Sequence, residues 1–183
     1  MEHIIQNRIE GLEKNKTDNI VKNIIINSLV DIKIIGVEAR IKEYDSVIEK
    51  INRKNYKSVD EVKDLLGIRI ICESIDEIYK VKSRIMTTFE NCIIKDYIQK
   101  HKHGYRGIHI YNKIDIKEIK NIPLEIQIKT MAMKKAQDKT HDKIYKNKYL
   151  PNFIKKILNF IVSNYIIIKE DIFSKERLSE NYM

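Results

Sequence analysis

Tryptophan is absent from this chain of 183 residues, and cysteine and proline occur only twice each. Cys72 and Cys92 stand in apolar surroundings, and no Cys/His spacing typical of zinc is present, so we expect buried free thiols in a reducing compartment. Pro123 and Pro151 are predicted to lie between elements of secondary structure. The length suffices for one domain that buries its core without disulfides or structural metal.

Long apolar runs are also missing. The longest, residues 157–168, is interrupted by Asn159, Ser163 and Asn164 and is shorter than the roughly 20 residues of a membrane-spanning helix. The first residues contain no basic segment followed by an apolar one, which argues against a secretory signal. We therefore expect a soluble, cytoplasmic protein with no membrane-spanning segment.

Acidic residues are too few to balance the basic ones. Lys and Arg number 35 against 26 Asp and Glu, which gives a formal net charge of +9. Such an excess predicts an anionic partner, either nucleotide phosphates, nucleic acid or a membrane surface. A lysine-rich solvated surface is the alternative, so the positions of the basic groups must decide.

Apolar periodicity predicts an α+β fold, a mixed five-stranded β-sheet flanked by helices. The first thirty or so residues have the period of one or two amphipathic helices. A strand is predicted over Ile34–Ile41, followed by a short helix that Asp45 or Ser46 caps and that runs through Ile51. Further strands are predicted at Ile68–Cys72, Cys92–Ile98, Gly107–Ile114 and Leu124–Lys129. Further helices are predicted from the second capping box described below to about Phe89, over Thr130–Lys146 and after Pro151.

Two segments have the pattern of a capping box, in which a serine and a glutamate three residues later satisfy each other's backbone N–H groups. They run from Ser58 to Glu61 and from Ser74 to Glu77. Each predicts the start of a helix.

Strict alternation over Leu124–Lys129 places Glu125, Gln127 and Lys129 on one face of a strand. A carboxylate, an amide and an ammonium group would then lie beside one another, and a catalytic cluster is the functional interpretation. Taken alone, an amphipathic strand with a solvated polar face is the simpler interpretation.

Several basic residues favour the binding of phosphates. Arg69 stands in an otherwise apolar strand, where it needs a partner, either in a salt bridge or in a ligand. Arg40 and Lys42 end the strand before it, and Ser46 and Lys50 lie one turn apart on the next helix, so they can converge on phosphates. An ordinary exposed basic cluster is the alternative.

The segment from Lys95 to His109 is a cationic loop around two glycines, and Tyr105 lies near its tip. Phosphate neutralisation by the cationic loop, together with a ring for base stacking, is the functional interpretation. The alternative is that Tyr105 is a half-buried tyrosine of a hairpin.

These segments resemble, in order and spacing, the synthetase domain of the RelA/SpoT family of alarmone synthetases, in particular its short single-domain members. The resemblance covers about Gly36 to Lys148 and implies a nucleotidyltransferase-like synthetase domain over residues 1–150, with N-terminal helices, and a C-terminal helical tail over residues 151–183. Four motifs carry it: Arg40-x-Lys42-x-x-x-Ser46-x-x-x-Lys50, Asp64-x-x-Gly67-x-Arg69, Asp96-Tyr97-Ile98 with Gly104-Tyr105-Arg106-x-x-His109, and Glu125-Ile126-Gln127-Ile128-Lys129-Thr130.

The resemblance implies a (p)ppGpp synthetase, which transfers the β,γ-diphosphate of ATP to the ribose 3′-hydroxyl of GDP or GTP and releases AMP. It implies that Asp64 and Glu125 are catalytic and bind Mg²⁺, and that Glu125 orients or deprotonates the attacking hydroxyl. Two further sets of roles follow from it. ATP would be bound by Arg40, Lys42, Ser46, Lys50 and Arg69, and the acceptor by Tyr105, His109, Gln127, Lys95 and Lys102.

The chain departs from the family pattern in the acceptor segment, where Gly107 replaces a serine, Lys129 replaces an arginine and the usual tryptophan is absent near Lys135. Two alternatives therefore stay open. The first is a toxic member of the family, with an antitoxin partner, that pyrophosphorylates the 3′ end of tRNA or makes adenosine alarmones. The second is a catalytically silent module that binds nucleotides or RNA. Neither a hydrolase nor a regulatory domain is expected in this length. The C-terminal helix is a candidate surface for a homo-oligomer.

Overall fold

The computed structural model describes residues 2–100, 105–140, 150–162, 164, 165 and 168. The chain divides into two compact units, which are described separately. The first comprises the described residues of Met1–Lys95 and Ile108–Ile128, and the second those of Asp96–Gly107 and Lys129–Met183.

The first unit opens with two helices, which confirms the prediction for the first thirty residues. They are α1 (Glu2–Lys14), which buries Ile5, Ile9 and Leu12, and α2 (Thr17–Ser28), which buries Val21 and Ile25. The chain continues with β1 (Ile34–Ile41), α3 (Tyr44–Lys54), β2 (Leu66–Cys72), α4 (Ile75–Thr88), β3 (Ile93–Asp96), β4 (Ile108–Ile116) and β5 (Ile119–Thr130).

The strands form one mixed five-stranded sheet in the order β1-β2-β5-β4-β3, as predicted. The β1 and β2 strands are antiparallel, and so are β4 and β5. Leu124, Ile126 and Ile128 of β5 are fully buried, because alternation turns them to the apolar side of the sheet. Burial of each such side chain stabilises the fold by about 1.5–3 kcal/mol. The intervening polar residues of β5 therefore face the other side.

The two capping-box predictions had different outcomes. Ser74 and Glu77 form the complete box at the start of α4, so that prediction is confirmed. Ser58 accepts a hydrogen bond from the backbone N–H of Asp60 but precedes only a three-residue 3-10 turn, Val59–Glu61. The carboxylate of Glu61 accepts instead from the backbone N–H of Lys57, so the reciprocal bond is missing and the predicted helix does not form.

The predicted cap of α3 is wrong. This helix begins at Tyr44 after Glu43, no side chain caps it, and Asp45 and Ser46 lie inside its first turn. It continues past Ile51 to Lys54, where Asn55 ends it in the left-handed conformation with a φ of 53°.

Strand bounds also differ from the predictions around the β4–β5 hairpin. The turn lies at Lys117, which has a φ of 53°, and it contains neither glycine nor proline to mark it in the sequence. As a result β5 begins at Ile119 rather than Leu124, and Pro123 lies inside it opposite Lys113, not between elements. In β3 only Ile93–Asp96 is extended, which shortens the strand predicted over Cys92–Ile98.

Both cysteines are free thiols. Cys72 is buried, and burial raises the pKa of its thiol to about 12, which makes it unreactive. Cys92 is only half-buried, so the prediction of burial is wrong for it; its Sγ donates to the carbonyl of Phe89 and accepts from the amide of Asn112.

The second unit contains α5 (Met131–Thr140) and a helix over residues 152–162, here named α6. The first confirms the start of the predicted helix over Thr130–Lys146, whose predicted end lies outside the described residues. The second confirms a helix after Pro151. Several large apolar side chains of α6 and the residues after it are exposed: Phe153, Ile157, Phe160, Ile161, Tyr165 and Ile168. No helix in the described ranges is long and apolar enough to cross a membrane.

Candidate active site

Four polar side chains meet on one face of the β4–β5 pair. The antiparallel register places His109 opposite Gln127 and Tyr111 opposite Glu125. Since residues two apart on a strand point to the same side, all four side chains lie on a common face. The register thus builds a cluster around Glu125 from two alternating pairs in the sequence.

Hydrogen bonds engage both carboxylate oxygens of Glu125. His109 Nδ1 lies 3.1 Å from Oε1, and Gln127 Nε2 donates to Oε2 over 2.8 Å. The hydroxyl oxygen of Tyr111 lies 3.1 Å from the same His109 Nδ1. The side chains of His109 and Glu125 are only 13% and 12% exposed, so these contacts are shielded from bulk water.

The surroundings of Glu125 keep it ionised. Burial alone would raise its pKa, but the imidazole of His109, the amide of Gln127 and the hydroxyl of Tyr111 outweigh burial and lower the pKa to about 2. A carboxylate held in this way can orient a hydroxyl group or bind a cation at neutral pH. It is a weak proton acceptor, because its affinity for protons is low.

A second cluster forms around Asp64, two residues before β2. Lys50 Nζ lies 2.8 Å from Oδ1 and Lys42 Nζ lies 3.1 Å from Oδ2, and the three side chains are between 14% and 21% exposed. Burial would raise the pKa of Asp64, but the two ammonium groups together lower it. The structure therefore brings together an acid and two cations that lie far apart in the sequence.

The backbone explains how these residues meet. The N–H of Lys42, just after β1, donates to the carbonyl of Leu65 over 2.9 Å and ties the end of β1 to the segment that carries Asp64. Lys50 lies on α3, one turn after Ser46, as predicted. Ser46 is half-buried in the first turn of that helix, near the end where backbone N–H groups favour anions.

The arginines of the two ATP motifs lie on one face of β1 and β2. Arg40 is opposite Gly67, and Arg69 is opposite Glu38. A Cβ added at Gly67 would lie 3.6 Å from Cγ and Nε of Arg40, an ordinary contact distance, so the Arg40 side chain lies directly over Gly67. The two guanidinium groups are thus carried by neighbouring strands.

Arg69 has a partner, as its position in an apolar strand required. Its Nη1 lies 3.2 Å from Oε2 of Glu38, whose side chain is half exposed. Of the two partners that the sequence left open, the structure contains the salt bridge. The buried Nε of Arg69 nevertheless has no hydrogen-bond acceptor among the described residues.

Tyr105 belongs to the second unit. Its ring lies edge to face with Tyr97, with 5.4 Å between the ring centroids, and its hydroxyl accepts from Lys129 Nζ over 3.3 Å. Lys129 is fully buried and also donates to the side-chain carbonyl of Gln137. The interpretation of Lys129 as part of a solvated face is therefore wrong.

Of the two lysines predicted near the acceptor phosphates, the structure describes only one. Lys95 lies on β3, and its Nζ is 5.3 Å from the ring centroid of Tyr111. Lys102 lies outside the described residues. Sequence reasoning missed Tyr111 and Glu38, although strand alternation from His109 and from Arg40 would have found both.

Asp64 and Glu125 are the carboxylates that the family resemblance implies as ligands of a divalent cation. Among the described residues no group of three or more His, Cys, Asp or Glu side chains could bind a metal by themselves. Magnesium does not require such a group, because it commonly binds one or two carboxylates and completes its shell with water and substrate phosphates. Two carboxylates with lowered pKa values fit that donor set.

Comparison with known proteins decides the family. The profile described as "Region found in RelA / SpoT proteins" matches residues 39–149, more than half of the chain and all of the clusters above. The chain belongs to the RelA/SpoT family. The resemblance inferred from the four motifs is thereby confirmed.

Two similar proteins of this family come from Bacillus subtilis (strain 168). GTP pyrophosphokinase YjbM is 32% identical over 105 residues, which are 53% of this chain and 50% of that protein. GTP pyrophosphokinase YwaC is 32% identical over 107 residues, which are 52% of this chain and 51% of that protein. The chain thus spans about half the length of the curated relatives that it matches.

A RelA/SpoT fold is also found by structure comparison. The small alarmone synthetase 1 of Bacillus subtilis, bound to its product pppGpp, superimposes with a TM-score of 0.75 over 98% of this chain and 97% of that one. The identity is 24%, so this likeness establishes the fold.

Proposed function

We propose that this protein is a (p)ppGpp synthetase that transfers the β,γ-diphosphate of ATP to the ribose 3′-hydroxyl of GDP or GTP and releases AMP. One observation carries the proposal: His109, Gln127 and Tyr111 hold Glu125 ionised on one face of the sheet. The chain that forms this sheet belongs to the RelA/SpoT family. The names of the relatives YjbM and YwaC agree with this activity.

In the proposed reaction the 3′-oxygen attacks the β-phosphorus of ATP, and the bond between that phosphorus and the α,β-bridging oxygen breaks. AMP leaves with that oxygen, and the proton of the attacking hydroxyl is released to water as the new bond forms. Glu125 accepts a hydrogen bond from the hydroxyl and aims it at phosphorus. Because the carboxylate is a weak base, orientation contributes more than proton uptake.

We assign a magnesium ion to Asp64 and Glu125. When bound, this ion would neutralise the charge that develops on the diphosphate. Asp64 is partly neutralised already by Lys42 and Lys50. In the proposed complex Lys42 and Lys50 would donate to the triphosphate, and Ser46, one turn before Lys50 on α3, would add a hydroxyl donor.

Arg40 and Arg69 are proposed to hold the adenine between their guanidinium planes. Their positions on one face of neighbouring strands support this. Guanidinium groups stack on aromatic rings, so this arrangement suits a purine.

For the acceptor, Tyr105 is proposed to stack on guanine, and His109 and Gln127 to contact the ribose beside Glu125. Lys95 and Lys102 are proposed to lie near the 5′-phosphates. The exposed apolar side chains of α6 support a homo-oligomer formed through this helix, an assembly that sedimentation of the purified protein tests.

Incubation with γ-labelled ATP and, in turn, GDP, GTP, ATP or tRNA tests the proposed function. Label is expected on GDP and GTP, with one AMP released per transfer. For a mononucleotide acceptor the rate should depend weakly on ionic strength, whereas for tRNA it should fall steeply as salt rises, because many phosphates are contacted. If only tRNA is labelled, and its labelling falls steeply as salt rises, the proposed function is wrong and the toxin alternative is correct.

A further inference from the structure

Tyr111 is the member of the Glu125 cluster that no family motif of this chain contains. It lies opposite Glu125 in the β4–β5 register and two residues after His109. Its hydroxyl oxygen is 3.1 Å from His109 Nδ1, and it hydrogen-bonds the Glu125 carboxylate. One hydroxyl thus contacts two groups that are assigned to the acceptor side of the reaction.

The ring of Tyr111 has a second set of contacts. Lys63 Nζ lies 5.8 Å and Lys95 Nζ lies 5.3 Å from its centroid, within the range of cation–π attraction. Neither ammonium group has a carboxylate within salt-bridge distance among the described residues. The ring therefore gathers two cations, neither of which forms a salt bridge with a described carboxylate.

The same ring lines a cavity of about 730 Å³, which Lys63 and Lys113 also line. This volume is in the range of pockets that hold nucleotide-sized ligands. Three carboxylates line the cavity as well: Asp60, Glu61 and Glu90. Lys63, one of the two cations beside the Tyr111 ring, lines this cavity and offers a positive charge to a phosphate chain that enters it.

We infer that Tyr111 is a positioning residue with two separate functions: its hydroxyl fixes Glu125 and His109 for transfer, and its ring holds Lys63 and Lys95 for the 5′-phosphates of the acceptor. The inference rests on the proposed function and deepens it. The hydroxyl acts on the reacting groups and so affects kcat. The ring acts on acceptor binding and so affects the acceptor KM.

The first test removes the hydroxyl alone. In Tyr111→Phe we expect kcat to fall roughly 10- to 100-fold, as for the loss of a hydrogen bond to a charged group, with the KM of ATP and of GTP within about twofold of wild type. Tyr79→Phe on α4 is the matched control and should keep the wild-type kcat. A Tyr111→Phe protein with wild-type kcat, or with a raised KM alone, would overturn the first function.

A double-mutant cycle of Tyr111→Phe with His109→Asn distinguishes a Tyr111 hydroxyl that acts on the reacting groups from one that only stabilises the fold. It is measured at a temperature where circular dichroism shows that every variant is folded. If Tyr111 acts through His109 and Glu125, the effects of Tyr111→Phe and His109→Asn on kcat should be clearly less than additive. Additive effects would contradict this function.

The second test removes the ring. Tyr111→Leu should raise the KM of GTP over that of Tyr111→Phe by roughly 5- to 20-fold, and it should raise the KM of GMP much less. Lys63→Gln should raise the KM of GTP in wild type but not in the Tyr111→Leu background. Equal KM values for the Phe and Leu variants would overturn the second function.

Failure of the inference can be told from failure of the proposed function. If wild type labels GTP and the variants behave like it, only the role of Tyr111 is wrong. If wild type labels tRNA instead, the kcat comparison is repeated with tRNA, where the hydroxyl should have the same effect. A wild type that labels no acceptor overturns both.

Discussion

The Nδ1 atom of His109 lies 3.1 Å from Oε1 of Glu125, and both side chains are largely buried. The contact joins neighbouring strands on one sheet face and stabilises the ionised carboxylate, whose pKa is lowered to about 2. The consequence is a fixed negative charge at the centre of the site across the physiological pH range. Several measurable properties depend on that charge.

Stability in acid should depend on Glu125. Its pKa falls from the usual 4.5 to about 2 on folding, so the carboxylate stabilises the native state above about pH 4.5 and this contribution is lost as the pH falls towards 2. Wild type should therefore lose more stability between pH 5 and pH 3 than Glu125→Gln does. Urea unfolding at both pH values measures the difference, and parallel losses in the two proteins would contradict the assigned environment.

Arg69 should matter more for ATP than for the acceptor. Arg69→Ala is expected to raise the Kd of ATP roughly tenfold or more, because a cation that stacks on adenine is lost, and to leave the acceptor KM nearly unchanged. Isothermal titration with a non-hydrolysable ATP analogue measures the first effect. Glu38→Gln is the control, since it removes the salt-bridge partner at 3.2 Å but keeps the guanidinium. Equal weakening of ATP and acceptor by Arg69→Ala would indicate a purely structural arginine.

The ring and the hydroxyl of Tyr105 should have separable roles. Tyr105→Ala should cost about 1–3 kcal/mol of stacking and raise the acceptor KM accordingly. Tyr105→Phe keeps the ring, and hence the KM, but it deprives the buried ammonium of Lys129 of an acceptor at 3.3 Å and should lower stability by about 1–3 kcal/mol. Acceptor kinetics and urea unfolding of both variants check this. A Phe variant as stable as wild type would show that the hydroxyl contact contributes nothing.

Much of this fold follows from local signals in the sequence. Strand β1 has the predicted bounds, and the Ser74 capping box marks the start of α4, because both depend on residues within a few positions of each other. The errors arise where the signal is weak or distant. The hairpin turn at Lys117 has no glycine to reveal it, and Ser58 forms only half of the capping box, so a 3-10 turn stands where a helix was predicted.

The candidate site was likewise predictable where the signal is local and unpredictable where it depends on tertiary contacts. Motif spacing named Asp64 and Glu125, but only the folded chain shows which cations face them, since Lys42 and Lys50 are brought to Asp64 by tertiary contacts. Burial of Lys129 was equally invisible, because alternation gives the side of a strand and not what covers it. Tyr111 was predictable in position and unpredictable in role.

The role of Glu125 in transfer is tested most directly by the transfer rate of Glu125→Gln, measured in a single turnover with γ-labelled ATP and GTP alongside wild type. The substitution keeps the shape of the side chain and removes its charge, so the rate should fall at least roughly 10²-fold while the Kd of a non-hydrolysable ATP analogue changes little. A Glu125→Gln protein that transfers the diphosphate at the wild-type rate would contradict the assignment of this carboxylate as the centre of the reaction.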